Sequence, residues 1–297
     1  MRIGYACLAI GVTDTGIKSC IMKNASEAKL LELISHNLDS LENIIDYNIK
    51  NNIRLFRISS ELIPFGSSTI NSIPWWDLFR AEFLRIGQKI KDNGVRVSMH
   101  PGQYTVINSP NEEVVKRAID DLHYHSKVLD SLDVGKEHKI ILHIGGAYND
   151  KKSSVIRFVT NFCNMPISIR DRIVLENDDK SYNICDVLEI GASINVPVVF
   201  DNLHNEMNPC DKEKNDAFWI NECKKTWKEG DGIQKIHYSQ QDPAKRPGSH
   251  SDSILLEKFM DFYRSLERDD IDIMLEVKDK NLSAVNCISR LSLEDTK

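Results

Sequence analysis

The sequence predicts an α/β fold, a single (β/α)8 TIM barrel over residues 1–297 with its functional site at the carboxyl ends of the strands. The chain is long enough for one such barrel, and eight short apolar runs alternate with longer amphipathic segments. This alternation indicates parallel strands covered by helices on both faces. A doubly wound open sheet would usually carry a glycine-rich phosphate loop after its first strand, and GYACLAIG does not have that pattern.

The predicted strands share runs of valine, isoleucine and leucine that are too short for helices. They alternate with helical patterns along the whole chain, so no second domain is predicted. In chain order the strands are residues 2–7, 53–59, 96–101, 139–145, 173–177, 196–202, 233–239 and 271–277.

Two helices have clear boundary signals. The first shows apolar residues at helical spacing from Leu30 to Ile49, and Asn24 with Glu27 has the spacing of a capping box. The second is predicted from about residue 75 to residue 92 and ends at Asn93-Gly94, a typical C-cap. We expect the last ~10 residues to form a flexible tail.

Composition narrows the class of protein. Apolar residues make up 41% and charged residues 28% of the chain, as in ordinary soluble domains. We expect a cytoplasmic protein without a membrane segment, because no signal peptide or long apolar run is visible.

Seven cysteines without a C-x-x-C pair favour reduced thiols. The net charge of −6 does not exclude nucleic acid, because a nucleic-acid footprint is local and bound cations change the local sign.

Side chains that bind metals follow six successive predicted strands. In a parallel barrel these strand ends meet at one face, and residues two apart on a strand, such as Lys235 and His237, point the same way. A lone histidine at a strand end is more often a hydrogen-bonded structural residue, but six such endings in a row favour a common site. The candidates are His100, His143, Glu176, Asp201, His204, Lys235, His237, His250 and Glu276.

The mixture of imidazoles and carboxylates predicts a divalent metal centre. Buried carboxylates without cations would be destabilised by repulsion and desolvation, and this donor set suits transition metals. One catalytic ion needs about three protein ligands, so the candidates suffice for two or three ions. Manganese is expected, with zinc and magnesium as alternatives. Closely spaced ions suit phosphodiester hydrolysis because they stabilise both the attacking and the leaving oxygen.

An ordered set of motifs resembles the UV damage endonucleases, metal-dependent TIM-barrel enzymes related to endonuclease IV. The resemblance runs from Gly4 to Lys278. It implies an enzyme that nicks damaged double-stranded DNA without ATP, immediately 5′ of pyrimidine dimers and six-four photoproducts. We expect the protein to be a monomer. The motifs are GY, S-x-x-L-x-P at residues 59–64, HPGQY, LHIGG, LEND, DNLH, KIHYSQ, HSD and LEVK.

The same resemblance assigns the ligands to three ions. His100 and His143 match the ligands of one ion, which Glu176 bridges to a second. Asp201, His237 and Glu276 match the rest of the second set, and His204 with His250 matches the third ion's histidines. Glu176, Lys235 and Glu276 are the expected catalytic residues.

Lys235 matches a lysine that is carboxylated in the family, close to the third ion. An inward-pointing lysine beside divalent cations should have a lowered pKa, and a neutral amine can add carbon dioxide. An ordinary lysine bent towards a phosphate or carboxylate is the alternative.

Loops on the same rim supply the predicted DNA contacts. Gln103 and Tyr104 match a pair that wedges into the duplex at the lesion, and an aromatic face can replace a lost stacking partner. Tyr5 matches a site tyrosine, and Lys245 with Arg246 are candidate phosphate contacts. Ala9 stands where the resemblance leads us to expect an asparagine, and Arg57 inside the second strand has no assigned role.

Three other functions are weighed against this one. The first is an abasic-site endonuclease of the endonuclease IV kind, with nearly the same metals. The second is a metal-dependent sugar isomerase or epimerase on the same scaffold, for which His204, Lys235 and His250 would be superfluous. The third, a binding module without catalysis, would leave the converging charges unexplained.

Overall fold

Eight parallel strands form the centre of the molecule in a computed structural model that describes residues 1–268 and 270–294. Each lies inside a predicted strand and is shorter than that prediction. The strands are β1 (Arg2–Ala6), β2 (Leu55–Arg57), β3 (Arg96–Ser98), β4 (Ile140–His143), β5 (Ile173–Glu176), β6 (Val198–Val199), β7 (Gln234–Tyr238) and β8 (Ile271–Leu275).

The strands pair in two parallel sheets. One has the order β3-β2-β1-β8-β7 and the other the order β4-β5-β6. Single parallel bridges join the sheets on both sides, from Met99 to Ile140 and from Asp201 to His237. The predicted α/β class with parallel strands is therefore confirmed, and neighbouring strands follow one another in the sequence.

Helices follow the strands and cover the outer faces of the sheets. No helix in the described part of the chain is both long and apolar enough to cross a bilayer. The helices are α1 (Glu27–Lys50), α2 (Trp75–Leu78), α3 (Arg80–Asp92), α4 (Glu112–Ser131), α5 (Lys151–Asn164), α6 (Ile167–Arg170), α7 (Ile184–Ile194), α8 (Asn202–Met207), α9 (Asp216–Lys224), α10 (Leu256–Ser265) and α11 (Asn281–Glu294).

Three helix boundaries differ from the predictions. The N-cap of α1 is Ser26, whose hydroxyl accepts from the Lys29 amide, and not Asn24, which ends a short 3₁₀ turn. Phe79 separates α2 from α3 where one helix was predicted, but α3 does end at Asn93-Gly94. Helix α11 continues to residue 294, so most of the segment expected as a flexible tail is helical, and residues 295–297 lie outside the described part of the chain.

Strand alternation places apolar residues on both faces of the sheets. The main core lies between sheets and helices and includes Ile3, Tyr5 and Phe56. The strand residues that alternate with these core residues point to the opposite face of the sheets and form two separate small clusters. These clusters are Ala6, Leu55 and Met274, and Ile141, Val174 and Val199.

The same alternation continues from the small clusters to the candidate ligands. His143 lies two residues beyond Ile141, Glu176 two beyond Val174, and Glu276 two beyond Met274. Side chains two apart on a strand share a face. The strands therefore carry these ligand candidates on the face of the small clusters, at their carboxyl ends.

One disulfide corrects the expectation of reduced cysteines. Cys185 in α7 and Cys210 after α8 are bonded, with their Cα atoms 5.9 Å apart. The other five cysteines are free thiols. The bonded pair is separated by 25 residues in sequence, and only the packing of α7 against the segment after α8 brings the two sulfurs together.

Candidate metal centre and active site

Glu176 is the centre of the candidate site. It ends β5 and its side chain is only 1% exposed. His100 Nε2 lies 3.0 Å and His143 Nε2 3.3 Å from its Oε2 atom, while His237 Nδ1 lies 2.6 Å from its Oε1 atom. Histidines at or near the carboxyl ends of three strands thus converge on one buried carboxylate, as side chains at the same end of parallel strands should.

Seven of the nine predicted metal ligands form three groups that share Glu176. In each group, one possible ligand atom per residue lies within 4.8 Å of the others. In the structure, Asp201 is grouped with His204, whereas His237 is grouped with Glu276. The groups are His100, His143 and Glu176; Glu176, Asp201 and His204; and Glu176, His237 and Glu276.

The other two predicted ligands, His250 and Lys235, lie outside these groups. His250 Nδ1 is 3.9 Å from Glu276 Oε2 and its side chain is 30% exposed. Lys235 is buried on β7, two residues before His237. Burial, together with Arg96 and Arg57, lowers the pKa of Lys235 well below its usual value. The neutral amine that carboxylation requires is therefore favoured at this position.

Arg57 is the residue of the site whose role sequence reasoning missed. Its guanidinium forms an ion pair with Glu276, and both side chains are largely buried. Burial alone would raise the pKa of Glu276, but Arg57 and His237 lower it below the usual value. The sequence could have revealed this position, because Arg57 lies two residues after Leu55. This spacing places Arg57 on the same face as the small clusters and the candidate ligands.

Asp201 and His204 form the edge of the site on α8. The Asp201 carboxylate caps the helix by accepting from the His204 amide at 2.8 Å, which fixes the two residues relative to each other. Burial raises the pKa of Asp201. Burial alone would lower the pKa of His204, but Asp201, Glu176 and Glu276 raise it to about 9. These carboxylates therefore attract positive charge to the position of His204.

The hydrogen bonds of His100 provide a test of whether a cation fits. Its Nδ1 atom lies 3.1 Å from the Pro101 carbonyl and its Nε2 atom 3.0 Å from the Glu176 carboxylate. Both partners only accept, so satisfying both needs a doubly protonated ring. Burial, however, lowers the pKa of His100 to about 4. A divalent cation between Nε2 and Glu176 resolves the conflict, because a metal ligand needs a neutral imidazole.

Unpartnered polar atoms support the same conclusion. Asp201 Oδ2, His143 Nδ1 and His237 Nε2 are buried and make no hydrogen bond. A buried polar atom without a partner costs about 1–3 kcal/mol. A group that combines such atoms with three carboxylates fits divalent metal ions.

Gln103 and Tyr104 lie beside this group, after β3. Both residues are exposed, and Tyr104 is 71% exposed. Gly102 permits this arrangement, since a Cβ atom at that position would lie 2.4 Å from the Tyr104 ring. Gln103 also lines a pocket of about 220 Å³ with His143 and His204. Gln103 therefore stands next to candidate metal ligands, and Tyr104 follows it in the chain.

Tyr5 does not lie on this exposed rim. Its side chain is fully buried, and its hydroxyl donates to Asn48 of α1 at 2.8 Å. The ring packs between β1 and α1, so the structure does not place Tyr5 among the exposed residues beside the candidate ligands, and its contact with DNA stays a prediction. Ala9 is also buried, while the neighbouring Leu8 is 44% exposed.

The two predicted phosphate contacts differ in the availability of their charge. The ammonium group of Lys245 lies 2.6 Å from Asp242 and 3.4 Å from Asp252, so nearby carboxylates neutralise it. Arg246 is exposed, and no ion pair to its guanidinium is seen in the described residues. Of the two, Arg246 has the charge that is free for a phosphate.

Comparison with known proteins identifies the family. A family model described as UV-endonuclease UvdE matches residues 1–296. A UV DNA damage endonuclease of Clostridium perfringens is 46% identical over 98% of this chain and 71% of that protein. The chain belongs to the UV-endonuclease UvdE family. It is therefore an endonuclease, and the isomerase and binding-module alternatives are not favoured.

Solved structures agree with this family. A crystal structure of SacUVDE covers 99% of both chains with a TM-score of 0.94 and 39% sequence identity. Endonuclease IV from Thermus thermophilus covers 98% of this chain and 99% of its own, with a TM-score of 0.62 and 11% identity. The second similarity shows a shared fold alone, so it does not favour abasic-site cleavage.

Proposed function

We propose that this protein is a metal-dependent endonuclease that nicks double-stranded DNA immediately 5′ of UV photoproducts, without ATP. The observation that carries the proposal is the convergence of three ligand groups on Glu176 in a chain of the UvdE family. Cyclobutane pyrimidine dimers and six-four photoproducts are the proposed substrates. We further infer one closed eight-stranded barrel within a single domain, because single bridges link the two sheets on both sides.

Two or three divalent ions, with manganese as the expected metal, would be held by the three groups and by His250 beside Glu276. Such ions stabilise negative charge on the phosphate oxygens in the transition state of hydrolysis. Glu176 is the proposed bridging ligand, since it belongs to every group. Arg57 holds the carboxylate of Glu276 in place, and Asp201 as N-cap holds α8 with His204.

Lys235 is proposed to carry an N6-carboxyl group. The lowered pKa of its buried amine supports this, because only the neutral amine adds carbon dioxide. Intact-mass measurement under gentle conditions, against a Lys235→Ala variant, tests the modification. The wild type should show the added mass of carbon dioxide. Its absence under conditions in which a known carbamate survives would leave Lys235 as an ordinary buried lysine.

DNA is proposed to bind across the exposed rim beside the metal ligands. Gln103 and Tyr104 would enter the duplex at the lesion, where an amide can bond to an unpaired base edge and a ring can stack. A distorted photoproduct costs less to unstack than normal DNA. Arg246 is the proposed phosphate contact, with Lys245 available once DNA competes for its carboxylate partners. Action as a monomer in the cytoplasm remains part of the proposal.

A nicking assay on three labelled duplexes tests the function. One carries a single thymine dimer, one an abasic site and one no lesion, each with manganese or with excess chelator. We expect a manganese-dependent nick directly 5′ of the dimer. Cleavage of the abasic duplex alone would indicate an activity of the endonuclease IV kind. No cleavage by protein with a measured metal content would refute the proposal.

A further inference from the structure

A cavity of about 500 Å³ lies at the amino-terminal ends of β4 and β5, away from the metal ligands. Its walls come from the segments before β4 and β7, from α6 and from the end of α7. The volume lies within the range of about 300–1,000 Å³ that is typical of small-molecule sites. Its principal lining residues are Lys136, Lys139, Ile167, Arg170, Pro197 and Lys228.

Positive charge exceeds negative charge in this cavity. Four cationic side chains and two carboxylates, Asp171 and Asp231, line it, although the whole chain has a net charge of −6. Lys139 is neutralised, because its Nζ atom lies 2.5 Å from Asp231 Oδ1 and 2.8 Å from the Asp171 carbonyl. The excess positive charge therefore comes from the other cations.

Arg170 and Lys228 have no carboxylate partner among the described residues. Arg170 Nε is buried without any hydrogen bond. Lys228 Nζ donates to the side-chain oxygen of Asn195, which is uncharged. Lys136 is partly neutralised, since its Nζ atom is 3.4 Å from Asp130.

Because Arg170 lines the cavity and has no carboxylate partner among the described residues, the charge of its guanidinium group is available to an anion there. A phosphate presents several oxygens that match the guanidinium fork, and an ammonium group adds a point charge. The adjacent wall is apolar, with Phe162 buried and Ile167 65% exposed. The cavity thus offers a cationic part for an anion and an apolar part for a carbon skeleton.

We propose that this cavity binds a small phosphorylated organic molecule, with its phosphate on Arg170 and Lys228 and its apolar part against Ile167 and Phe162. A DNA strand held at the metal ligands cannot fill it, since the cavity lies at the opposite ends of the strands. The site is independent of the nicking activity.

Isothermal titration of metal-loaded protein with adenosine 5′-monophosphate and with inorganic phosphate tests the proposal. We expect the nucleotide to bind, and Arg170→Gln to weaken its binding at least tenfold, while Arg170→Lys retains part of the affinity. Lys228→Gln should weaken it as well. Arg80→Gln, which removes an exposed arginine of α3, is the matched control and should leave the affinity unchanged. Nicking by Arg170→Gln should equal that of the wild type.

Equal affinity of the wild type and Arg170→Gln for the nucleotide would overturn the site. Loss of binding in Glu176→Gln but not in Arg170→Gln would also overturn it, by placing the ligand on the metal centre. Inorganic phosphate that binds as tightly as the nucleotide would refute the apolar part and identify a free anion as the ligand.

Discussion

Buried charge is balanced differently at the two ends of the strands. At the amino-terminal end, three buried cations have carboxylate partners: Arg96 with Asp272, Lys139 with Asp231, and Arg172 with Asp130. At the carboxyl end, Glu176, Asp201 and Glu276 converge, and Arg57 is the only arginine or lysine paired with them among the described residues. The three buried cations named at the first end are neutralised within the protein, whereas the second end leaves negative charge for added cations.

This difference separates structural ion pairs from a binding site. A buried pair whose remaining hydrogen bonds are satisfied holds the fold without a ligand. Arg96 is such a case, because it also donates to the carbonyls of Glu137, Asp231 and Ile233. The carboxyl end, with the candidate metal ligands, keeps buried atoms such as Asp201 Oδ2 unpartnered. Changes at the first end should therefore alter stability, and changes at the second should alter activity.

The largest effect is expected from Asp272→Asn. Asp272 is fully buried and accepts from Arg96 at 3.0 Å and from Arg2 at 3.1 Å. Removing its charge leaves Arg96 buried without a counter-ion, so the free energy of unfolding should fall by about 3–5 kcal/mol. Denaturant titration measures the change.

Asp270→Asn is the matched control for that variant. Asp270 pairs with Lys224 and Arg268 at the surface, where an ion pair is worth about 0–1 kcal/mol. If Asp270→Asn cost as much stability as Asp272→Asn, the buried pair would not have the role described. Activity per folded molecule should fall far less with Asp272→Asn than with a change at Glu176.

The Glu176→Gln variant tests the carboxyl end of the strands. It keeps the shape of the side chain but removes the carboxylate that all three groups share. Loss of one group that stabilises charge in the transition state typically costs about 100- to 1,000-fold in rate, and we expect at least that loss in nicking of UV-damaged duplex. Glu206→Gln on the exposed side of α8 is the control and should nick normally. Full activity of Glu176→Gln would remove Glu176 from the centre of the site.

Metal removal should distinguish the amino-terminal and carboxyl ends of the strands through its effect on the Tm of the variants. A ligand at 100 times its Kd stabilises the folded state by about 2.7 kcal/mol, so chelation should lower the Tm of the wild type and manganese should restore it. Asp272→Asn should keep this response because its change is far from the ligands, and Glu176→Gln should lose most of it. A wild-type Tm that does not depend on manganese would contradict the metal centre.

The smallest effect is expected from Tyr104→Ala. Base stacking on an aromatic ring is worth about 1–3 kcal/mol, so affinity for dimer-containing duplex should fall by that amount. The Tm should not change, because the ring is 71% exposed. Tyr104→Phe keeps the ring and should bind like the wild type. Equal losses on damaged and undamaged duplex would show that Tyr104 does not recognise the lesion.

Several features of the fold and site were predictable from local patterns. The eight strands and the candidate ligands at their ends follow from runs of apolar residues and from the alternation of side chains, which depend only on neighbours in the sequence. The C-cap at Asn93 was visible for the same reason. The N-cap of α1 was misplaced by two residues, because the capping-box spacing of Asn24 and Glu27 favoured Asn24, whereas the actual N-cap Ser26 has Lys29 and no acidic residue three positions on.

By itself, the sequence determined the order of strands and helices and the chemistry of the residues that close each strand. Only the tertiary structure decided that Arg57 pairs with Glu276, that Tyr5 packs against α1 and that Cys185 meets Cys210. A strand's two-residue repeat fixes the face of a side chain but not its partner. The partner depends on how distant strands and loops pack, and residues 57 and 276 are 219 positions apart.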